Sequence, residues 1–264
     1  MSRQPNIPRW VRRLFAVVLV IAVGVGGAYL VDSVAAIRVE SRLSADIEAS
    51  AGLPTSPDVY IAGTPYLAAT ATGEITRITV NSLDVPVDGL GIVNARTELA
   101  NIKTTPEQVL SGNLLGSHAE LMKRIISLDG VAFGNLLGMT DLDIANPYNI
   151  APSGGVASEA QLTGTPDGFD EPVSVIVDLR LVGPEFRMTV TDVLDAPQGR
   201  TKDAVEAFTY TLDTRRLPLA GQASLVQVIG GSLYFEAQRY HVTVQPDVLA
   251  PVASSDGTWS DFDQ

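Results

Sequence analysis

The feature that most constrains this chain is an uncharged stretch of eighteen residues near its N-terminus, from Leu14 to Val31. A helix needs about 20 mostly apolar residues to cross the hydrocarbon core of a bilayer, and about 17 is the lower limit. Four arginines precede the stretch and Asp32 follows it directly. Because basic flanks stay on the cytoplasmic side, we predict a cytoplasmic leader at 1–13, a transmembrane anchor at 14–31 and an extracytoplasmic remainder.

A cleaved secretory signal is the alternative interpretation of the same stretch. Signal peptides also begin with a charged leader, but their apolar region usually runs about 7–15 residues. Small residues at 26–28, and again at Ala35 and Ala36, form weak cleavage sites. Both interpretations export the residues after Asp32, so we place the domain on the periplasmic side of the cell membrane.

The charge of the exported part excludes several kinds of partner. Residues 32–264 hold 14 basic and 30 acidic residues, a formal charge of −16. Such a surface repels phosphate groups, so we expect neither nucleic-acid binding nor docking on anionic lipid through a polybasic face. The chain has no cysteine, which excludes disulfides and thiolate metal sites.

Hydrophobic periodicity predicts an α+β domain at 58–245. Residues 32–57 read as helix, either a stalk or the first helix of the fold. From Asp58 onward the period changes to two, most clearly at 75–80 and in two hairpins at 173–190 and 223–244. Short turns join these strands, so we expect an antiparallel sheet of about six to eight strands.

Other segments carry helical or disordered patterns. Thr105 and Gln108 form a capping box at the start of one helix. The stretches His118–Leu128 and Thr201–Leu212 each place apolar residues at helical spacing, so we predict helices there. Residues 246–264 are rich in Pro, Ser, Asp and Gly, which predicts a disordered acidic tail.

The sequence offers little that indicates catalysis. The two histidines, His118 and His241, stand in unlike contexts, and a zinc site needs a cluster of ligands, so we expect no metal and no cofactor. The chain has no nucleophile elbow and no phosphate-binding glycine loop. Neighbouring carboxylates occur at Asp141, Asp143, Asp167, Asp170 and Glu171. A glycosidase needs two carboxylates across a cleft, but in so acidic a chain solvated faces explain the pairs, and we predict no enzyme.

The long apolar strand faces allow two interpretations. They fit a filled core between sheet and helix, which every such domain needs. They also fit a groove that stays open for lipid acyl chains. Pattern alone leaves both interpretations open.

A motif near the start of the domain resembles that of a known family. Residues 59–67 read Val-Tyr-Ile-Ala-Gly-Thr-Pro-Tyr-Leu, and a strand of alternating hydrophobics follows at 73–80. This resembles the opening motif of the LmeA-like family of actinobacterial envelope proteins, in which Gly-x-Pro-aromatic-Leu joins a strand to a short helix. Leu-Pro-Leu at 217–219 and the turn at Gly230 and Gly231 resemble the family's C-terminal block. The resemblance covers residues 33–245.

The resemblance implies both a fold and a function. The fold is an elongated tubular module of the BPI-like superfamily, in which a curved antiparallel sheet wraps a long helix around an apolar groove. The function is non-catalytic binding of phospholipid, including phosphatidylinositol-type lipid, in support of lipoglycan (lipomannan-type) elongation. An envelope scaffold that holds a glycan-synthesis enzyme near its lipid substrate is the alternative, and a carboxylate-dependent glycan hydrolase is the third interpretation.

Under the lipid-binding interpretation, twelve apolar residues are candidates for lining the groove. They are Ile61, Tyr66, Leu67, Ile78, Val80, Val175, Val177, Leu179, Phe186, Met188, Val226 and Val228. A headgroup phosphate needs a local cation, and Arg77 and Arg96 on strands flanking the motif are the candidates. Lys123 and Arg124 are the alternative pair, and solvated surface charge is the other interpretation of all four.

Overall fold

A single long helix links the apolar N-terminal stretch to the domain. A computed structural model describes residues 9–63, 65–147 and 158–253, and its first helix, α1, runs uninterrupted over Arg9–Ala51. The first half of α1 is exposed, and it is long and apolar enough to cross a membrane. In the second half Val39, Leu43 and Ile47 form a buried stripe at four-residue spacing. Residues 32–51 are therefore the first helix of the fold.

Eleven strands in the described residues form two antiparallel sheets, which confirms the predicted α+β class. The first sheet contains β1 (Asp58–Ala62), β2 (Glu74–Val87), β3 (Gly91–Lys103), β4 (His118–Leu128), β10 (Leu225–Ile229) and β11 (Ser232–Thr243). The second contains β5 (Asp143–Ala145), β6 (Glu159–Gly164), β7 (Val173–Val182), β8 (Glu185–Asp195) and β9 (Tyr210–Asp213). Their spatial orders are β1-β2-β3-β4-β11-β10 and β5-β6-β7-β8-β9. Both sheets curl, as the tubular module implied by the family resemblance requires.

Short helices connect the strands and cover their inner faces. They are α2 (Ala69–Thr72), α3 (Pro106–Ser111), α4 (Gly130–Leu137), α5 (Thr201–Ala207) and α6 (Pro246–Leu249), with 3₁₀ turns at Tyr66–Ala68 and Thr214–Arg216. The predicted capping box begins α3. The N–H of Gln108 donates to the Thr105 hydroxyl (3.3 Å), and the Gln108 side chain accepts from the N–H of Thr105 (2.9 Å).

One apolar core joins the two sheets. Inward-facing residues of both sheets belong to the same cluster of buried side chains, together with the buried stripe of α1. Phe186 of β8 meets Phe133 of α4 and Phe235 of β11 edge to face, with ring centroids 6.4 and 5.0 Å apart. These aromatic contacts bridge the second sheet to the first.

The predicted helix at His118–Leu128 is wrong, because this segment is strand β4. It lies in the middle of the first sheet, hydrogen-bonded to β3 on one side and to β11 on the other. Its inward-facing residues include Met122, Arg124 and Ile126. Arg124, a charged residue among these inward-facing side chains, hid the period of two in the sequence. Hydrogen bonding to a neighbour on each edge of β4 then outweighs the local helical pattern.

The predicted helix at Thr201–Leu212 is correct only in its first half. Helix α5 ends at Ala207, and Tyr210 begins β9, which pairs with β8 at the edge of the second sheet. In β9, Leu212 turns inward and lies opposite Phe186. The hydrogen bonds and the apolar contact with β8 favour strand over a further helical turn.

The first part of the predicted disordered tail is folded. Residues 246–253, which we call the C-terminal strap, form α6 and a short extended segment, and Val248, Leu249 and Ala250 are buried. The strap lies between α1 and β3, where the hydroxyl of Thr97 donates to the carbonyl of Ala250 (2.7 Å). Five of the eight residues of the strap are Val, Leu or Ala, so the strap itself is apolar enough to pack in the core. The rest of the predicted tail, 254–264, lies outside the described residues.

Asp32, the first charge after the apolar stretch, fixes α1 to the domain. Its carboxylate is only 4% exposed and accepts hydrogen bonds from the N–H groups of Tyr66 (2.9 Å) and Leu67 (2.6 Å). The Tyr66 hydroxyl donates to the carbonyl of Val109 (2.9 Å). Burial raises the pKa of the Tyr66 phenol, and the nearby Asp32 carboxylate raises it further. The Gly-x-Pro-aromatic-Leu motif is thus the element that docks onto α1.

Polar contacts continue along the second half of α1. The Glu40 carboxylate accepts from the N–H of Ile61 (2.9 Å), and the Ser44 hydroxyl donates to the carbonyl of Pro57 (2.6 Å). Strand β1 is an edge strand, and Glu40 binds an N–H that would otherwise be open to pairing with another chain. The helix therefore holds the domain along its whole second half.

We expect Asp32→Ala to lower the free energy of unfolding by about 2 kcal/mol, because two N–H groups inside the fold lose their acceptor. Asp32→Asn keeps one acceptor oxygen and should lose less. Ser33→Ala is the matched control, since its hydroxyl bonds only to the carbonyl of Tyr29 one turn earlier. Denaturant titration of the full chain in detergent, followed by circular dichroism, measures all three. Equal stability of the Asp32→Ala and Ser33→Ala variants would contradict the role assigned to Asp32.

Candidate functional site

The twelve predicted groove residues meet in one apolar core. Eleven of them are at most 7% exposed, and Leu67 is partly buried against the same cluster. The first sheet and the 3₁₀ turn beside it contribute Ile61, Tyr66, Leu67, Ile78, Val80, Val226 and Val228. The second sheet contributes Val175, Val177, Leu179, Phe186 and Met188. In this conformation the apolar faces are packed against helices and the strap.

The two predicted headgroup cations lie on the opposite face of the first sheet. Arg77 and Arg96 are exposed, whereas Ile78, next to Arg77 on β2, is fully buried. Arg96 donates from Nε to the Asn81 side chain (2.7 Å), and its Nη1 lies 3.6 Å from the Glu98 carboxylate. Because successive residues of a strand point to opposite faces, the structure separates these cations from the apolar lining.

Lys123 and Arg124, the alternative headgroup candidates, also point to opposite faces of the first sheet. Lys123 points outward and its Nζ lies 3.3 Å from the Glu236 carboxylate. Arg124 points inward and is only 2% exposed. Of the four cations considered from sequence, Arg124 is the one that the structure brings to the apolar face.

The Arg124 guanidinium is held by the C-terminal strap and by β3. Its Nη2 donates to the carbonyls of Asp247 (2.8 Å) and Val248 (3.2 Å), and its Nε donates to the Thr97 hydroxyl (3.2 Å). Burial lowers the pKa of Arg124 to about 10, Asp247 opposes that fall, and Arg239 adds to it. The side chain therefore remains cationic at neutral pH.

The charge of Arg124 is met by dipoles and not by a close anion. Within 9–63, 65–147 and 158–253, no carboxylate lies at ion-pair distance from its guanidinium. A buried charge without an ionic partner costs several kcal/mol, of which hydrogen bonds to carbonyls recover a part. Arg124 lies two residues from Met122 and two from Ile126, so in a strand all three share the inward face. This signal can be used only when the segment is predicted to be a strand.

A cleft opens where the strap ends. It has a volume of about 670 Å³ and is lined by the end of α1 (49–52), the β2–β3 turn (86–88), residues 215–218, Val252 and Ala253. This volume lies in the range of small-molecule pockets. A cation, Arg216, stands in its lining, and Arg215 beside it forms a two-pronged ion pair with Asp213. We call this the distal cleft, because it lies at the end of α1 opposite the apolar stretch.

A smaller cleft lies on the outer face of the first sheet. It has a volume of about 370 Å³, and Arg96, Asn81, Ile125 and Tyr234 are among its lining residues. Arg96 is therefore next to a concave surface, but on the side of the sheet that faces away from the core.

Among the carboxylates considered for catalysis, Asp141 has a structural partner. Both oxygens of Asp141 accept hydrogen bonds from Thr165, from its N–H (2.8 Å) and its hydroxyl (2.7 Å), and these bonds lower the pKa of Asp141. A general acid needs a raised pKa, so this geometry suits a structural role. Asp143 is exposed at the start of β5. In the described part of the chain, no three metal-ligating side chains come together.

Comparison with known proteins identifies the family. The model of one family, LmeA-like phospholipid-binding, matches residues 30–238, from just before Asp32 to within β11. The strap, 246–253, lies beyond the match. No curated protein and no solved structure matches the chain. The family match spans well over half of the chain and agrees with the motif at 59–67, so the chain belongs to the LmeA-like phospholipid-binding family.

Proposed function

We propose that this protein is a non-catalytic phospholipid-binding protein of the cell envelope. It is anchored in the cell membrane by residues 14–31, its domain stands on the extracytoplasmic side, and it supports lipoglycan (lipomannan-type) biogenesis. The observation that carries the proposal is the continuity of α1, whose apolar first half passes directly into a second half that packs in the core of a phospholipid-binding domain.

The inner faces of the two sheets are the surface proposed for the acyl chains. Burying apolar surface contributes about 0.8 kcal/mol per CH₂ group, so two acyl chains supply ample affinity against the cost of ordering them. The faces are packed in the structure described above. The chains therefore enter by displacing a packed element, and not by filling an open groove.

Exposed apolar side chains near the end of the span support uptake from the outer leaflet. Ile37 is 58% exposed and Leu110 is 72% exposed, and Val34 and Leu115 are exposed as well. Helix α3, which carries Leu110, is tied to α1 by a hydrogen bond from Arg42 to the carbonyl of Ser111 (2.9 Å). At about 1.5 Å per residue, Ile37 stands roughly 9 Å beyond the end of the span, within the interfacial region.

The distal cleft is the proposed point of presentation to a partner. Residues 32–51 of α1 span about 30 Å, so the cleft lies at that distance from the membrane surface. There an envelope glycan-synthesis enzyme can reach the headgroup. The lipid proposed is a phosphatidylinositol-type phospholipid, as the family resemblance implies.

A scaffold that binds such an enzyme without binding lipid is the second candidate. The observation in its favour is the packing of the groove residues, eleven of which are buried in a continuous core. A scaffold needs no interior ligand, and a filled core is what it predicts. The two candidates differ in whether lipid accompanies the purified protein.

We expect one phospholipid to accompany each chain through purification. The full chain is purified in detergent, analysed by native mass spectrometry, and extracted with organic solvent to identify the lipid. An added mass equal to one phospholipid supports the proposal. A mass of the bare chain, unchanged after incubation with phosphatidylinositol-containing vesicles, contradicts it and favours the scaffold, which should instead yield a protein partner after crosslinking.

A phospholipid with a photoreactive acyl chain should label inward-facing positions. On β2 we expect adducts at Ile78 and Val80, because these side chains belong to the proposed lining, and none at Arg77 and Thr79. The four positions alternate on one strand, so each pair is the control for the other. Tandem mass spectrometry of the digested protein locates the adducts. Equal labelling of both pairs would show contact with the lipid surface only.

The chain should keep its N-terminus and span the membrane once. Cleavage after Ala36 would remove Asp32 and its hydrogen bonds to the 3₁₀ turn, so the fold disfavours cleavage at that site. Since the chain has no native cysteine, Ser2→Cys and Thr55→Cys each create a single reactive thiol. A membrane-impermeant maleimide applied to intact cells should label Thr55→Cys and not Ser2→Cys. Labelling of both, or a mature chain that begins after residue 28 or 36, contradicts this topology.

A further inference from the structure

Arg124 is a buried cation whose hydrogen-bond acceptors come largely from a terminal segment. Two of its three acceptors are carbonyls of the C-terminal strap, at Asp247 and Val248. The third is the hydroxyl of Thr97, which itself donates to a strap carbonyl at Ala250. The residues around this network on the sheet, among them Leu99 and Met122, are apolar and buried.

We propose that Arg124 and Thr97 form a phosphate-binding site on the inner face of the first sheet, and that the C-terminal strap occupies this site when no lipid is bound. The proposal rests on the proposed function and names the contact for the headgroup. The ligand chemistry is a phosphate group attached to apolar chains. Its oxygens take the positions of the carbonyls at Asp247, Val248 and Ala250.

The chemistry of Arg124 favours a phosphate over the carbonyls it now contacts. A guanidinium presents several N–H donors in a planar fork that matches two phosphate oxygens, so two parallel bonds join a charged donor to a charged acceptor. The strap hydrogen-bonds to the buried cation only through carbonyl dipoles, and the Asp247 carboxylate acts on it without a direct hydrogen bond. A phosphate brings a full negative charge into surroundings where water screens little, so the pair is stronger there than at the surface.

The strap resembles the ligand that it would exclude. Its carbonyls stand where phosphate oxygens would bind, and its buried Val248 and Leu249 fill apolar space as acyl chains would. It is one short helix and a few extended residues that follow β11. Its last described residue, Ala253, is held by a hydrogen bond to the carbonyl of Pro218 (3.0 Å).

Displacement of the strap opens the inner face toward the distal cleft. Val252 and Ala253 line that cleft beside the end of α1. When the strap moves away, the space over Thr97 and Arg124 joins the cleft. The headgroup then lies between buried Arg124 and exposed Arg216 in the lining of the cleft, and Arg124 is shielded from the acidic exterior that repels free phosphate ions.

Lipid binding by the full chain in detergent tests the site. The probes are phosphatidylinositol, diacylglycerol with the same acyl chains, and inorganic phosphate, each titrated by native mass spectrometry. Arg124→Met removes the charge and keeps most of the stem, and Lys103→Met makes the same charge change at an exposed position of β3. We expect Arg124→Met to weaken phosphatidylinositol binding roughly tenfold or more and to leave diacylglycerol binding at least as strong, because the variant also loosens the competing strap. Lys103→Met should have no effect.

Weakening the strap tests its competition with the lipid. Leu249→Ala removes a buried side chain of the strap and leaves Arg124 and Thr97 intact, so it should tighten phosphatidylinositol binding. In the unaltered chain, hydrogen exchange at the N–H groups of Leu249, Ala250 and Ala253 should accelerate when phosphatidylinositol is added. This second measurement needs no substitution and remains decisive if Arg124→Met fails to fold.

The outcomes separate this inference from the proposed function. Binding of phosphatidylinositol with equal affinity by Arg124→Met and Lys103→Met, or unchanged exchange in the strap, overturns the site and leaves lipid binding standing. Inorganic phosphate that binds as well as the lipid also overturns it, because the site would then be a free-anion site. Failure of every variant to bind either lipid counts against the proposed function itself.

Discussion

The Asp32 carboxylate marks the boundary on which the structure depends. On one side of it, α1 has a fully apolar surface suited to lipid; on the other, the same helix is amphipathic and packs in a protein core. A charge at this point ends the span, and two N–H groups of the 3₁₀ turn satisfy it inside the fold. The domain is thereby fixed in distance and orientation to the helix that would anchor it, so its apolar faces and its clefts stand at defined heights.

Strand alternation then decides which residues can act together. The outer face of the first sheet carries paired charges such as Lys123 and Glu236, while its inner face carries the core. On a strand, a cation that is two residues away from an apolar lining residue lies on the same face as that residue. A cation directly next to a lining residue lies on the opposite face. Arg77 and Arg96 are therefore solvated, and Arg124 alone among the cations considered meets the apolar interior.

Much of the fold could be predicted from sequence because several signals are local. The apolar span, the capping box at Thr105 and the hairpin at 173–190 each depend on neighbouring residues, and each is present in the structure. Strand β4 and the C-terminal strap could not be predicted in this way. Both are stabilised by partners far away in the chain. Charged residues within β4, and the polar sequence that follows the strap, masked their apolar patterns. The hydrogen bonds between Arg124 and the strap link the two misjudgements, since they put a charge on the inner face of a strand and hold the strap against the core.

Strand β4, with Arg124, and the C-terminal strap also give the proposed site a way to release bound lipid. A strap tethered to the domain competes with lipid at a high effective concentration. The apparent affinity for lipid is the intrinsic affinity multiplied by the fraction of molecules in which the strap is displaced, so a strap that is mostly bound lowers it. Lipid held by two buried acyl chains alone would leave slowly. A segment of the chain that offers both apolar side chains and oxygen acceptors to Arg124 can replace it stepwise, so that no buried cation or apolar face is exposed to water during the exchange. Such a competitor suits a protein that must hand its lipid to a partner and not merely store it.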